Sequence, residues 1–124
     1  MAVPILKQGP FLIATIQAAL TDTDVLQLQD DVMAQVTRHR SRGIIVDVTA
    51  LDVMDSFVSR SLQGIARMTR LRGAETVIVG IQPEVAFAMV QLGMAFEDVL
   101  TALDLEEGLA LLLRPWKEAG DSGG

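Results

Sequence analysis

The stretch Gly43-Ile-Ile-Val-Asp-Val-Thr-Ala-Leu-Asp-Val-Met-Asp55-Ser56-Phe57 decides how the rest of the chain is interpreted. Its opening Gly-Ile-Ile-Val is an apolar run, which predicts a buried strand. A helical pattern then opens at Asp55 or Ser56. Two carboxylates and a hydroxyl, those of Asp47, Asp55 and Ser56, therefore gather where a strand ends and a helix begins. Open α/β folds commonly carry their function at such junctions.

Strand-like and helix-like segments alternate on both sides of this stretch. Two strands, residues 3–7 and 11–16, are predicted first, and a helix that starts near Thr21 and ends at Gly43 follows them. After the second helix, which ends before Gly73, the pattern predicts a strand over 74–79, a helix over 83–92, a weak strand near 98–102 and a last helix from Asp104. The order ββαβαβαβα indicates an α/β fold with a mixed, mostly parallel sheet.

Length and composition narrow the class of protein. The 124 residues predict one domain over 1–113, in which Leu105, Leu109, Leu112 and Leu113 of the last helix face the core, and a flexible C-terminal tail over 114–124. The absence of Cys excludes disulfides, thiol catalysis and zinc–thiolate sites. Without a signal-peptide pattern or an apolar run of about 18 residues, a cytoplasmic protein is expected. The net charge of −6 argues against nucleic acid as the main partner.

The motifs of catalysis and cofactor binding are missing from the sequence. His39 is the only histidine, and beside Arg38 and Arg40 it fits a helix C-terminus, where positive charge is favourable. There is no Gly-x-Ser-x-Gly elbow, no Gly-x-Gly-x-x-Gly fingerprint and no Walker phosphate loop. The carboxylates lack the spacing of a calcium loop. We therefore expect a protein that is not an enzyme and that holds no cofactor and no metal.

Two features near the central stretch each allow two interpretations. Ser56 is either an N-cap hydroxyl for the helix or a phosphorylation target, since a phosphate there would meet free backbone amides and the positive end of the helix dipole. A phosphate beside Asp55 would also change the charge of the surface without changing the fold. The arginines after it are either a solvated helix face or a docking surface for an acidic partner: Arg60, Arg67, Arg70 and Arg72.

The residues Asp47-Val-Thr49 and Asp52-Val-Met-Asp55-Ser56 resemble the signature of the STAS domain, the anti-sigma-factor antagonist fold. The resemblance covers about residues 3–113 and implies the same order of strands and helices. Bacterial members of that family are regulators that are phosphorylated on the Ser or Thr directly after the aspartate that matches Asp55. The resemblance thus implies phosphorylation of Ser56, with Asp55 shaping the helix entrance and Asp47 and Thr49 holding the preceding loop.

Three further stretches resemble the single-domain, RsbS-type members of the stressosome: Ile5-Leu6-Lys7, Gly80-Ile-Gln-Pro83-Glu-Val-Ala86, and Thr101-Ala-Leu-Asp-Leu-Glu-Glu-Gly-Leu109. This implies a scaffold that assembles with RsbR-like STAS paralogues into a large homo- or hetero-oligomer. The scaffold would sequester an RsbT-like serine kinase, release it once Ser56 is phosphorylated, and be reset by an RsbX-like phosphatase. RsbR-like proteins offer a second phosphorylatable residue where this chain has Val79, so only one such site is expected here.

Two alternatives remain open at this stage. The first is a free anti-sigma-factor antagonist that binds an anti-sigma kinase one to one. The second is a nucleotide-binding STAS module, which no phosphate loop in the sequence supports. Ser59 and Ser61 lie close to Ser56 in the sequence and are competing candidates for modification.

Overall fold

A computed structural model describes residues 3–94, 96 and 99–122, with residues 115–122 described by their backbone alone. The elements follow the predicted order: β1 (Ile5–Gln8), β2 (Phe11–Thr15), α1 (Asp22–His39), β3 (Gly43–Asp47), α2 (Ser56–Leu71), β4 (Glu75–Val79), α3 (Pro83–Gln91), β5 (Leu100–Ala102) and α4 (Leu105–Ser122). The α/β fold with a mixed, mostly parallel sheet is therefore confirmed. The part of the predicted fifth strand that falls on residue 98 lies outside the described residues.

The five strands form one sheet in the order β1-β2-β3-β4-β5. β1 pairs with β2 in antiparallel fashion, and the other three pairings are parallel. In the parallel part, Thr15 is paired with Asp47, Asp47 with Val79, and Val79 with Ala102. The carboxyl ends of four strands therefore meet at one edge of the sheet, and each of the four helices begins just beyond that edge.

Both faces of the sheet are covered, because side chains of successive strand residues point to opposite faces. Ile44 and Val46 of β3 belong to the larger core, which α1, α2 and α3 cover with residues such as Leu28 and Leu62. Ile45 belongs to the smaller core beneath α4. A β-strand buried on both faces reads as a continuous apolar run, which is why the Gly-Ile-Ile-Val stretch predicted the central strand correctly.

The ends of two helices differ from the prediction. α1 ends at His39, and Arg40 takes the left-handed conformation at φ 48°, three residues before the predicted end at Gly43. Gly43 is instead the first residue of β3, where a Cβ would lie 2.7 Å from Leu112 Cδ2 of α4. The glycine therefore permits close packing of α4 on the sheet and does not terminate α1.

α4 also departs from its predicted extent. Its backbone is helical through Ser122, past the boundary at residue 113, since backbone hydrogen bonds sustain a helix beyond the end of its apolar stripe. Leu112 is buried in the smaller core, and Leu105 and Leu109 are partly buried against it. Leu113 is exposed, so its predicted core position is wrong. The flexibility of residues 114–124 stays a prediction. Among the described residues, no helix combines the length and the apolar character needed to cross a membrane.

Candidate functional site

Asp47 ends β3 and organises the loop that leads to α2. Its Oδ1 accepts two hydrogen bonds from Thr49, one from the backbone N–H at 2.9 Å and one from the Oγ1 hydroxyl at 2.6 Å. A carboxylate that bonds to the backbone two residues onward forms a tight local turn. The structure thus brings Asp47 and Thr49 together at the carboxyl edge of the sheet.

The loop after β4 fits closely against this turn. Gly80 has a φ of 80°, and a Cβ at this position would clash with Thr49 Oγ1 and lie 3.3 Å from Asp47 Oδ1. Gln82 Nε2 donates to the carbonyl oxygen of Thr49 at 2.7 Å and to Asp52 Oδ1 at 3.3 Å. The β3–α2 loop and the β4–α3 loop are therefore joined by side-chain hydrogen bonds as well as by van der Waals contact.

Sequence reasoning did not assign a role to Gly80 or Gln82. A usable signal was present: Gln82 is the N-cap residue of α3, a position that Ser, Thr, Asp and Asn favour. Its side chain makes no capping hydrogen bond to α3 and reaches instead to the neighbouring loop. A poor capping residue directly before Pro83 at the first helical position therefore indicated that the glutamine side chain is used elsewhere.

The N-terminus of α2 resolves which residue caps the helix. Asp55 is the N-cap, and its Oδ1 accepts a hydrogen bond from the backbone N–H of Val58 at 2.8 Å. Ser56 is the first residue of the helix and is exposed, and its carbonyl oxygen accepts from Arg60 Nε at 3.2 Å. The interpretation of Ser56 as the capping hydroxyl is wrong, because the neighbouring carboxylate makes that bond.

The three serines of the first two turns of α2 differ in access. Ser59 is only 3% exposed, and its Oγ donates to the carbonyl oxygen of Met94 at 3.1 Å. Ser61 is half-buried, whereas Ser56 is exposed. A kinase must bring a free hydroxyl into its own active site, so exposure favours Ser56 over both competing serines.

A groove of about 590 Å³ opens beside Ser56, between the start of α2 and α3. The residues that line it are mostly apolar, with three carboxylates among them: Asp52, Val53, Met54, Asp55, Ser56, Glu84, Val85, Ala88, Leu92 and Met94. Val53 and Leu92 are largely exposed there. The surface around Ser56 thus combines an apolar groove with negative charge, a combination suited to contact with another protein.

Other residues considered in the sequence do not contribute to this surface. His39 lies in the last turn of α1, at the opposite end of the helices from Ser56, so the two cannot act as a base and nucleophile pair. Val79 is fully buried in β4 and has no hydroxyl. Within the described ranges, no group of three or more His, Asp or Glu side chains could hold a metal ion.

Residues 2–108 match the family described as the STAS domain. The chain belongs to the STAS domain family. Among curated relatives, the RsbT co-antagonist protein RsbRA of Bacillus subtilis is 30% identical over 87 residues, which is 70% of this chain and 32% of RsbRA. RsbRD of the same organism, also an RsbT co-antagonist protein, is 31% identical over 81 residues. The chain spans about a third of the length of these two relatives.

Solved structures of other proteins resemble this one over nearly its whole length. A serine-to-glutamate variant of RsbS from Moorella thermoacetica is 33% identical with a TM-score of 0.80, covering 93% of this chain and 97% of that one. A chain of the solved stressosome, which is described as a signal integration and transduction hub, is 33% identical with a TM-score of 0.73. The match covers 90% of this chain and 96% of that one. The anti-sigma factor antagonist SpoIIAA, 16% identical with a TM-score of 0.66, shares the fold.

The capping arrangement at α2 gives a first prediction. Asp55→Ala should lower the free energy of unfolding by about 1 kcal/mol, because the N–H of Val58 loses its acceptor. Asp55→Asn should lower the free energy of unfolding much less, since asparagine caps a helix as well as aspartate does. Ser56→Ala should change stability by less than about 0.5 kcal/mol. Urea denaturation of the wild type and the three variants measures the free energy of unfolding. An equal loss in Ser56→Ala and Asp55→Ala would contradict the assignment of Asp55 as the cap.

The contact between Gly80 and Thr49 gives a second prediction, for which Gly73 provides a matched control. Both glycines have φ near +80°, so alanine at either position costs about 1–2 kcal/mol in backbone strain. Only at Gly80 does the new Cβ meet a side chain, whereas nothing lies within 4 Å of one at Gly73. Gly80→Ala should therefore lower the free energy of unfolding by about 1–3 kcal/mol more than Gly73→Ala. Thermal and urea unfolding test this, and equal losses would show that Thr49 does not restrict Gly80.

Proposed function

We propose that this STAS protein is a scaffold of a bacterial stressosome that is switched by phosphorylation of Ser56. One observation carries the proposal: Ser56 is an exposed hydroxyl on the first helical residue of α2, while the nearby Ser59 is buried and hydrogen-bonded. The similarity to RsbS and to a stressosome chain, each at 33% identity over most of both chains, supports the same role. In the solved RsbS variant a glutamate replaces a serine, and it carries a negative charge at that position of RsbS, as a phosphoserine would.

The surroundings of Ser56 suit a change of charge more than a change of fold. A phosphate on the first residue of α2 would lie near free backbone N–H groups and the positive end of the helix dipole, both of which stabilise an anion. It would add a charge of about −1.5 to −2 beside Asp55 and close to Asp52, which already make this surface negative. A partner that binds the unmodified surface would therefore meet increased negative charge while the domain remains folded.

The names of the relatives support the proposed partners. The RsbR proteins of Bacillus subtilis are RsbT co-antagonists, and this chain matches about a third of their length. We propose that the chain assembles with RsbR-like STAS paralogues, that the assembly holds an RsbT-like serine kinase, and that phosphorylation of Ser56 releases the kinase. An RsbX-like phosphatase would then restore the serine. In this scheme Asp47 and Thr49 keep the loop before α2 in the shape the kinase binds.

The chain itself needs no catalytic group for this role. It is proposed to be a substrate and a scaffold, so the chemistry belongs to the kinase and the phosphatase. The separation of His39 from Ser56, at opposite ends of the helices, supports the assignment of Ser56 as a substrate hydroxyl over an activated nucleophile.

Phosphate incorporation tests the assignment of Ser56. With an RsbT-type kinase and ATP, the wild-type chain should take up one phosphate on Ser56, and Ser56→Ala should take up none while remaining folded. Ser61 lies about one and a half helical turns further along α2. The Ser61→Ala variant, which keeps Ser56, should be phosphorylated as the wild type is. Ser56→Asp should bind the kinase more weakly, by roughly tenfold for one added charge at a contact surface. Mass spectrometry that finds phosphate only on Ser59, Ser61 or Thr49 would contradict the proposal.

Assembly size separates this function from the second candidate, a free anti-sigma-factor antagonist, which the shared fold with SpoIIAA favours. Mixed with an RsbR-like paralogue, the chain should enter an assembly of roughly megadalton mass, because the scaffold requires many copies, whereas an antagonist forms a small closed complex. Light scattering coupled to size-exclusion chromatography measures the mass. A mixture that elutes only as complexes of two to a few chains would favour the antagonist.

A further inference from the structure

The domain separates its charges along the direction of the helices. All four helices begin beyond the carboxyl edge of the sheet, and the first turns of three of them carry acidic residues: Asp22 and Asp24 in α1, Glu84 in α3, Glu106 and Glu107 in α4. Asp52 and Asp55 precede α2 at the same end. The other end, where α1 and α2 finish, carries arginines: Arg38, Arg40, Arg42, Arg70 and Arg72. We call these the acidic end and the basic end.

The groove beside Ser56 lies at the acidic end. Its lining combines the carboxylates of Asp52, Asp55 and Glu84 with apolar side chains that include Met54 and Leu92. A side chain that fills such a groove favourably is apolar at its centre and has positive charge on either side.

One segment at the basic end has that composition. Leu71, the last residue of α2, is 87% exposed, and Arg70 and Arg72 flank it. Arg70 makes an ion pair with Glu75 at 3.2 Å, with about half of the arginine side chain exposed. Because an exposed pair of this kind stabilises by less than about 1 kcal/mol, a carboxylate of another molecule can replace Glu75. Leaving this large and mostly exposed leucine in water is unfavourable. Its apolar side chain matches the apolar lining of the groove, and the two flanking arginines match the groove's negative charge.

We propose that the Arg70-Leu71-Arg72 segment of one copy docks into the groove beside Ser56 of a second copy. Leu71 would cover the apolar floor near Met54 and Leu92, and the two arginines would face the groove's carboxylates. The occupant is at the C-terminal end of α2 and the groove is at the N-terminal end of the same helix in the next copy. The dipoles of the two helices would then be aligned head to tail, which is their favourable arrangement.

Such a contact joins two different surfaces, so it is heterologous and repeats from copy to copy. It produces rows or rings, in contrast to a closed two-fold dimer. Ser56 lines the groove, so the docked segment of a neighbour would cover its hydroxyl. A kinase and the docked segment would then compete for the surface around Ser56, so within an assembly the kinase would bind the copies whose groove is open.

Sedimentation velocity of the purified, unphosphorylated chain, without kinase, tests the contact. The wild type should show an average mass that rises with concentration up to about 1 mM, the range of a weak specific contact. Leu71→Ser should weaken this self-association roughly tenfold or more, because a buried leucine side chain is lost. Leu6→Ser is the matched control, since Leu6 is also mostly exposed but lies on β1, outside both surfaces. The control should associate as the wild type does.

A charge exchange makes the test specific to these two surfaces. Arg72→Glu and Glu84→Arg should each associate poorly alone, because like charges then face each other, and an equimolar mixture of the two should recover wild-type association. A wild type that stays monomeric throughout, equal losses in Leu71→Ser and Leu6→Ser, or a mixture that recovers nothing would each overturn the proposal. The measurement involves no phosphate, so its failure would leave the proposed switch at Ser56 untouched, and failure of the switch would leave this contact untouched.

Discussion

The hydrogen bonds that run from Asp47 through Thr49 to Gln82 hold together the surface on which Ser56 lies. Asp47 fixes Thr49, and Gln82 holds the carbonyl oxygen of Thr49 and the carboxylate of Asp52. Each bond contributes only about 1 kcal/mol, but together they join two loops that approach from adjacent strands. The contact between these two loops sets the path of the chain into α2. It requires a glycine at position 80, because a Cβ there would clash with Thr49.

The fold could be predicted from the sequence where burial or local chemistry dominates. The apolar run after Gly43 fixed the central strand, and Pro83 and Glu84 fixed the start of α3. The errors fall where a residue is determined by a distant neighbour. Gly43 was interpreted as the end of α1, but it begins β3, and Leu112 of α4 packs directly on it although the two residues lie far apart in the sequence. No local pattern contains that information.

The candidate site could be predicted in outline and not in detail. The positions of Asp47, Thr49, Asp55 and Ser56 at one edge follow from the parallel sheet, which the order of elements predicted. The partition between Asp55 and Ser56 does not follow, because both residue types cap helices well and a one-residue shift of the helix start exchanges their roles. The burial of Ser59 likewise depends on a distant residue, Met94, whose carbonyl oxygen accepts a hydrogen bond from the serine.

That partition matters for how a modified serine can act. If Ser56 capped α2, its hydroxyl would be committed to a backbone N–H, and transfer of a phosphate to that oxygen would disturb a bond that stabilises the domain by about 1 kcal/mol. Because the carboxylate of Asp55 accepts the bond from Val58, the hydroxyl next to it remains exposed on the first turn. At this helix N-terminus, Asp55 therefore holds the backbone in place, and the neighbouring Ser56 provides the accessible hydroxyl oxygen. Stability and the proposed phosphorylation would therefore depend on different residues at adjacent positions, as a surface that is to change its charge and keep its fold requires.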